Sequence, residues 1–105
     1  MGLVERISTS VGIGVYRSGQ MELVAAPDVV RFLTAVSSRG LRVLGLEGFR
    51  IVGDRLIPDM DLVADFSSIS GSAASEESVA EALRFLSNVG GSGQFYDVIL
   101  DDDVD

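Results

Sequence analysis

The longest apolar-rich block of the chain is GLRVLGLEGFRIVGDRLIPDMDLVADF, which runs from Gly40 to Phe66 between two segments of helical spacing. Residues 41–46 are too continuously apolar for a half-exposed edge, so they predict a strand inside a sheet. Gly45 and Gly48 interrupt the apolar pattern and indicate a β-bulge or the close approach of another backbone. The block therefore predicts consecutive central strands, which the rest of the chain covers or extends.

The second half of this block predicts a hairpin and one further strand. The Gly-Asp pair at 53–54 has the Gly-X form of a two-residue turn, and apolar alternation resumes on both sides of it. Pro58 has no N–H group to donate, so it should interrupt pairing at an edge, a bulge or a kink. Beyond it, apolar and polar residues alternate over 60–66. This alternation places Asp61 and Asp65 on the solvent side of a strand.

One helix is predicted on each side of the block. Residues 27–39 carry apolar side chains at i, i+3, i+4 and i+7, and they begin with a proline and an aspartate. Gly40 offers the left-handed stop that ends many helices. After a loop of small residues, Ser75 is predicted to cap a second helix with an apolar stripe, which Gly90-Gly91 ends.

Two more segments have the alternation of strands. Residues 11–25 predict a β-hairpin with its turn at Ser18-Gly19, and residues 95–100 predict a last strand that is apolar on both faces. The predicted order is ββαβββαβ. It indicates the α+β class, as a two-layer sandwich with two helices on one face of a mostly antiparallel sheet. If the first hairpin is an appendage, the remainder is predicted to be a ferredoxin-like βαββαβ unit.

Length and composition predict one domain. The chain has 105 residues, of which 47% are hydrophobic, and its net charge is −8. A chain of this length buries roughly two thirds of its unfolded surface around a single core. We therefore assign residues 1–105 to one domain. The GGSG run at 90–93 is predicted to be a flexible link, and residues 101–105 to be a frayed acidic tail.

Charge is divided unevenly between the two halves of the chain. Residues 1–52 hold six Arg against four acidic residues, whereas residues 53–105 hold two Arg against twelve acidic residues. Nucleic acids and anionic membranes both require a basic protein face, so the acidic half argues against either as a partner. If the charge selects a partner, that partner is basic. The alternative is that an acidic surface only keeps the protein soluble.

Few kinds of catalytic or metal chemistry remain open to this chain. It has no cysteine and no histidine, which removes disulfides, thiolate nucleophiles, Cys/His zinc sites and histidine bases. Asp59, Asp61 and Asp65 resemble a calcium loop only in part, because Val63 and Ala64 occupy its fifth and sixth places. A regular strand would hold Asp61 and Asp65 about 13 Å apart, wider than the carboxylate pair of a glycosidase. We therefore predict no enzyme, no cofactor and no metal.

Several segments together resemble one family. These are GLEGF at 45–49, the short hairpin after it, and PDMDLVADFSSI at 58–69. They are similar to a pattern in small bacterial immunity proteins of polymorphic-toxin systems. In that pattern a helix leads into a strand that ends near a glycine-aromatic pair, and an acidic PDxDxxADFS-like segment follows. The ending FYDVILDDD also resembles their last strand, so the resemblance covers about residues 40–69 and this strand.

The resemblance implies a binding protein without catalysis, which inhibits a basic, nuclease-like toxin domain through an acidic face. Such a face can mimic the phosphates of the substrate and speed the encounter of the two proteins. On this hypothesis the partner-binding residues are Asp54, Asp59, Asp61 and Asp65, with Glu76 and Glu77 as outer contacts. The protein is expected to be a monomer or a homodimer.

A second function class stays open. It is a regulatory or assembly domain that dimerises through a sheet edge and binds a small ligand between its subunits. The location is the same for both classes. The N-terminus lacks the basic region and apolar core of a secretory signal, and no apolar run approaches the ~20 residues that cross a bilayer. We therefore expect a cytoplasmic protein.

Overall fold

The computed structural model describes residues 2–89 and 94–101 of the chain. Within these residues it has three α-helices, five strands and a short 3₁₀ turn at Ala26–Asp28. The helices are α1 (Leu3–Ser10), α2 (Val29–Ser38) and α3 (Ala74–Val89). The strands are β1 (Val15–Ser18), β2 (Met21–Ala25), β3 (Arg42–Val52), β4 (Arg55–Asp65) and β5 (Phe95–Asp101). The α+β class is therefore confirmed.

The strands form one antiparallel sheet in the order β1-β2-β5-β3-β4. β5 is the last strand described in the chain, but it lies at the centre of the sheet. The first hairpin joins this sheet, because Val24 pairs with Tyr96 and Ala25 pairs with Phe95. The alternative in which the hairpin is an appendage to a ferredoxin-like unit is therefore wrong.

One face of the sheet carries the core. We call it the covered face and define it by residues that are at most 2% exposed: Val24, Val43, Leu46, Tyr96 and Val98. They form one hydrophobic cluster with residues of all three helices, among them Ile7, Phe32 and Val79. Residues paired on adjacent strands point to the same side, and Leu46 pairs with Val98. All three helices thus pack on the same side, which is compatible with a two-layer sandwich.

The two glycines of the central block lie at irregularities of β3, as predicted. The register shifts between Val43 and Gly45 towards β5, and between Glu47 and Phe49 towards β4. A Cβ atom on Gly45 would lie 2.8 Å from the carbonyl oxygen of Ala64. A Cβ atom on Gly48 would lie 2.5 Å from the Cβ atom of Leu62. Only glycine allows these neighbours to approach so closely.

The prediction of three strands between the helices is wrong. β3 and β4 are two long strands joined by the predicted turn at 53–54, and β4 runs through Pro58. Because β4 is an edge strand, the missing N–H group of Pro58 breaks no ladder on its outer side. A bulge does follow Pro58. Glu47 pairs with Val63 and Phe49 with Pro58, so four residues of β4 lie opposite Gly48.

The sequence pattern predicted no element for residues 1–10, where the structure has α1. This helix is held by Glu22 of β2, whose carboxylate accepts the backbone N–H groups of Gly2 and Glu5, both at 3.1 Å. The first turn of a helix leaves such N–H groups without partners, and a carboxylate there also favours the helix dipole. The capping group lies far along the chain, so a local search for a cap at Ser, Thr, Asp or Asn misses it.

Smaller differences concern the ends of elements. Ser75 is the second residue of α3 and not its cap, because its hydroxyl donates instead to the carbonyl of Leu41 at 2.7 Å. The first hairpin turns at Gly19-Gln20, one residue later than predicted, since Ser18 still pairs with Met21. The left-handed stop after α2 is confirmed by the φ of 70° at Gly40.

The predicted acidic tail begins one residue too early. Asp101 is the last residue of β5, and its carboxylate accepts a hydrogen bond from Arg42 at 2.7 Å. Residues 102–105, the remainder of the predicted tail, lie outside the described residues, as does the predicted GGSG link at 90–93.

Candidate functional site

The side of the sheet away from the helices carries charged and apolar side chains together. We call it the open face and define it by Glu47, Val63, Asp65, Asp97 and Ile99. Glu47 pairs with both Val63 and Asp97, and Gly45 pairs with both Asp65 and Ile99, so these five residues point to one side. None of them belongs to the cluster that packs against the helices.

Glu47 and Asp97 are two carboxylates directly opposite each other on neighbouring strands. Partial burial raises the pKa of Asp97 above its ordinary value, and the negative charge of Glu47 raises it further. Like charges opposite each other in a sheet oppose folding. Within the part of the chain that the structure describes, no Arg lies at ion-pair distance from Asp97. A cation from outside the chain would relieve this repulsion.

Asp65 adds a third negative charge to the open face. It is exposed, and its carboxylate accepts the backbone N–H of Ser67 at 2.8 Å. Hydrogen bonds from the side chain and backbone of Ser67 lower the pKa of Asp65 below its ordinary value. Asp65 is therefore fully ionised at neutral pH and available to a partner.

Apolar side chains lie among these acids. Val63 and Ile99 are each 43% exposed, although both sit in long strands. Phe95 shares the face of Asp97 by alternation along β5, and its ring lies 4.8 Å from the ring of Tyr16 between centroids. Tyr16 is 41% exposed, whereas Tyr96 is buried on the covered face. Exposed aromatic and aliphatic groups beside charged groups are typical of protein contact surfaces.

Two arginines of β3 are already engaged in ion pairs. Arg42 pairs with Asp101 across β3 and β5, and its guanidinium also donates to the carbonyl of Ile69 at 2.8 Å. Arg50 of β3 lies 3.5 Å from the carboxylate of Asp59. The open face therefore presents the charges of Glu47, Asp65 and Asp97 without internal neutralisation by these arginines.

The predicted acids of β4 do not form one continuous surface. Asp54 lies in the turn between β3 and β4, at the end of the hairpin. Asp59 and Asp61 fall in the bulge, where the Asp59 carboxylate accepts the N–H of Asp61 at 3.0 Å and also pairs with Arg50. Only Asp65 belongs to the regular part of the open face.

The other two predicted contacts lie in the helical layer. Glu76 and Glu77 are exposed in the first turn of α3, whose inner side packs against the covered face. There their negative charges interact favourably with the positive end of the helix dipole. The structure thus divides the six predicted residues between an edge strand with its turn and a helix of the other layer.

Sequence reasoning missed Glu47 and Asp97. Asp97 is the one charged residue within the apolar run FYDVIL at 95–100, which is a signal of an exposed position in an otherwise covered strand. That signal finds each acid alone. Glu47 and Asp97 are paired because β5 lies beside β3, and the order of the strands along the chain does not reveal that these two strands are neighbours.

The described residues carry no group of three His, Cys, Asp or Glu side chains that could hold a metal ion. Two carboxyls whose pKa values are pushed apart can transfer protons. The cavity beside Asp97, however, is lined by Leu3, Val4, Gln20, Met21, Glu22, Asp97 and Leu100. Ser, Thr, Tyr and Arg are not among these lining residues.

Comparison with known proteins adds no relative. No protein-family model matches the sequence, and neither the curated proteins nor the solved structures include a match. Among the helices of residues 2–89 and 94–101, none has the length and apolar character needed to span a bilayer.

Proposed function

We propose that this protein is a non-catalytic binding protein that neutralises a basic, nuclease-like toxin domain, as an immunity-type inhibitor in the bacterial cytoplasm. The observation that carries the proposal is the open face. It combines Glu47, Asp65 and Asp97 with the exposed apolar side chains of Val63 and Ile99. The net charge of −8 likewise favours a positively charged partner.

The physical basis is charge complementarity with local desolvation. A nuclease binds phosphates with a basic cleft, and a set of carboxylates on a rigid sheet can occupy that cleft in their place. The overall negative field increases the rate of encounter at low salt. Val63 and Ile99 would supply the apolar contact that excludes water from the neighbouring ion pairs.

The six acids that the sequence suggests as contacts take different parts in this proposal. Asp65 is a central contact, and Asp54, Asp59 and Asp61 extend the negative surface along the β4 edge. Glu76 and Glu77 belong to the helical layer, so we expect them to affect long-range attraction more than contact. Glu47 and Asp97 join Asp65 as contacts.

The test compares two charge reversals of equal size. The tagged wild-type chain and the variants E47K/D65K and E76K/E77K are used to capture proteins from a lysate of the source organism. Columns are washed at low and then at high salt, and bound proteins are identified by mass spectrometry. We expect one stoichiometric basic protein on the wild type, released by salt, lost with E47K/D65K and retained with E76K/E77K. Circular dichroism checks that both variants remain folded.

The captured protein then provides a functional readout. If it cleaves nucleic acid, equimolar wild-type chain should suppress the cleavage, whereas E47K/D65K should not. Capture of the same protein at the same salt by E47K/D65K would show that the open face is not the contact. A captured partner whose activity the wild-type chain leaves unchanged would contradict the inhibitor role.

The alternative, a dimeric ligand-binding domain, receives less support from the two edges of the sheet. The β4 edge carries Pro58, a bulge and the charges of Asp59 and Asp61, all of which oppose pairing with another strand. The β1 edge has only four residues. Sedimentation equilibrium tests this alternative, because a defined dimer in the absence of any partner would favour it.

A further inference from the structure

A cavity of about 250 Å³ lies where β2 and β5 separate. These strands are paired only at Val24 and Ala25 of β2, so Met21 and Glu22 have no paired residue in β5. The first turn of α1 lies over the opening through Leu3 and Val4. Asp97 belongs to the open face, while Leu100 lies on the covered face. Residues of both faces therefore line the cavity.

The size of the cavity limits what can occupy it. Sites for cofactors and drug-sized ligands are usually roughly 300–1,000 Å³. This cavity is smaller than that range and better suits one long side chain. Its lining combines the apolar side chains of Leu3, Val4, Met21 and Leu100 with polar groups, of which the charged ones are the carboxylates of Glu22 and Asp97. Lys and Arg combine an apolar stem with a cationic head, which is the matching arrangement.

The two carboxylates differ in how far they are already neutralised. Glu22 accepts the N–H groups of Gly2 and Glu5 at the start of α1, and its carboxylate lies 3.7 Å from the guanidinium of Arg17. Arg17 is also paired with Glu5. Asp97, by contrast, has no ion pair within the described residues and faces Glu47 across β3 and β5. Asp97 is thus the group from which a cation would gain most.

We propose that this cavity receives a Lys or Arg side chain of the basic partner, with its stem between Leu3, Met21 and Leu100 and its head on Asp97. This inference rests on the proposed function, because the occupant is a residue of the protein that the open face binds. It adds an anchoring position at one end of that face. Arg is among the residues that most often form interface hot spots.

The experiment titrates the ¹⁵N-labelled chain with three small probes and follows its amide NMR shifts. The probes are the N-acetyl methylamides of arginine, lysine and the neutral amino acid norleucine. We expect saturable shifts at Gln20, Met21 and Asp97 with one or both cationic probes and none with norleucine. D97N should raise the Kd about tenfold, since it removes the charge from the hydrogen bond. The charge-matched control is E81Q, on a helix that does not line the cavity.

Several results would overturn the inference. These are the absence of saturable shifts, equal shifts with norleucine, or an equal loss of affinity in E81Q. The captured partner gives the second readout, in which D97N should release it at lower salt than E81Q does. If E47K/D65K abolishes capture but D97N does not change it, the anchoring site falls and the proposed function stands. If the cavity binds the cationic probes but E47K/D65K leaves capture unchanged, the proposed function falls, and with it the partner's side chain as occupant.

Discussion

The two faces of the sheet use the same strands for different purposes. On the covered face, side chains such as Leu46, Tyr96 and Val98 are at most 2% exposed and pack against three helices. On the open face, Val63 and Ile99 are 43% exposed and lie among three acids. β5 shows the contrast within one strand, because its alternate residues face opposite environments. The like charges that oppose folding thus lie on the side of the sheet that the helices leave uncovered.

The largest expected effect contrasts one apolar truncation on each side of the sheet. Phe32 of α2 is fully buried in the core, so Phe32→Ala should lower the free energy of unfolding by about 3–5 kcal/mol. Ile99→Ala on the open face should change it by less than ~1 kcal/mol. Urea denaturation of both variants measures the two values. Equal losses would mean that the open face is also part of the core.

A second pair of variants tests the close packing of β3 and β4. Gly48→Ala places a Cβ atom 2.5 Å from the Cβ atom of Leu62, so we expect a loss of about 1–3 kcal/mol through overpacking. Gly14→Ala is the control, since no atom lies within 4 Å of its added Cβ and its φ is not positive. That variant should be neutral or slightly more stable. Thermal denaturation compares them, and an unchanged Tm in Gly48→Ala would contradict the close approach of Gly48 and Leu62.

Two buried serines should respond with opposite signs. The Ser78 hydroxyl of α3 accepts the N–H of Val43 at 2.9 Å and donates to Ser75, so Ser78→Ala should cost about 1–3 kcal/mol. The Ser8 hydroxyl of α1 is buried without a hydrogen-bond partner in the part of the chain described. Ser8→Ala should therefore stabilise the protein, by up to about 1 kcal/mol. Urea midpoints decide the sign, and destabilisation by Ser8→Ala would indicate a partner for its hydroxyl.

The smallest expected effect concerns the charges of the open face. The pKa of Asp97 is raised in the folded state, so the folded protein binds more protons than the unfolded chain between 3.8 and that raised value. Stability should therefore fall as the pH rises through this window. Asp97→Asn removes the effect, and the loss of repulsion from Glu47 should add about 0.2–1 kcal/mol at neutral pH.

The pH dependence of stability distinguishes the contribution of Asp97 from those of the neighbouring acids. Glu47 faces it across β5 and β3, and Glu22 shares its cavity. The advantage of Asp97→Asn should vanish below pH 3.8, where the carboxyl is protonated in both states. Asp65 has the opposite sign, because its pKa is lowered and its contribution is lost as the pH falls. A Tm series across this range for Asp97→Asn and the wild type checks the window, and a gain that persists in acid would exclude repulsion as its cause.

Much of the local structure was accessible from sequence pattern. The stripe of α2 and its stop at Gly40, the second helix, the turn at 53–54 and the irregularities at Gly45 and Gly48 follow from periodicity and backbone chemistry. α1 was missed because its cap is Glu22, a residue of another element. The continuity of β4 through Pro58 was missed because it depends on β4 being an edge.

The candidate site shows the same limit. The sequence pattern predicts an acidic half and a contact at Asp65. It also predicts that Asp65 acts together with Asp59 and Asp61, which the bulge at 59–62 separates from it. The spacing of side chains along one strand is fixed by backbone geometry, so the acids of a single strand can be predicted from the local sequence. Which acids share a surface depends on register, and register depends on the neighbouring strand.

Composition and spacing within a few residues are enough to predict the α+β class, the apolar stripes that form the core and the negative charge. Tertiary structure alone decided that β5 enters the centre of the sheet, which places Asp97 beside Glu47 and opens the cavity towards β2. These differ because hydrophobic periodicity sets only which side of a strand is buried. The strand that becomes its neighbour is chosen by the packing of the whole chain.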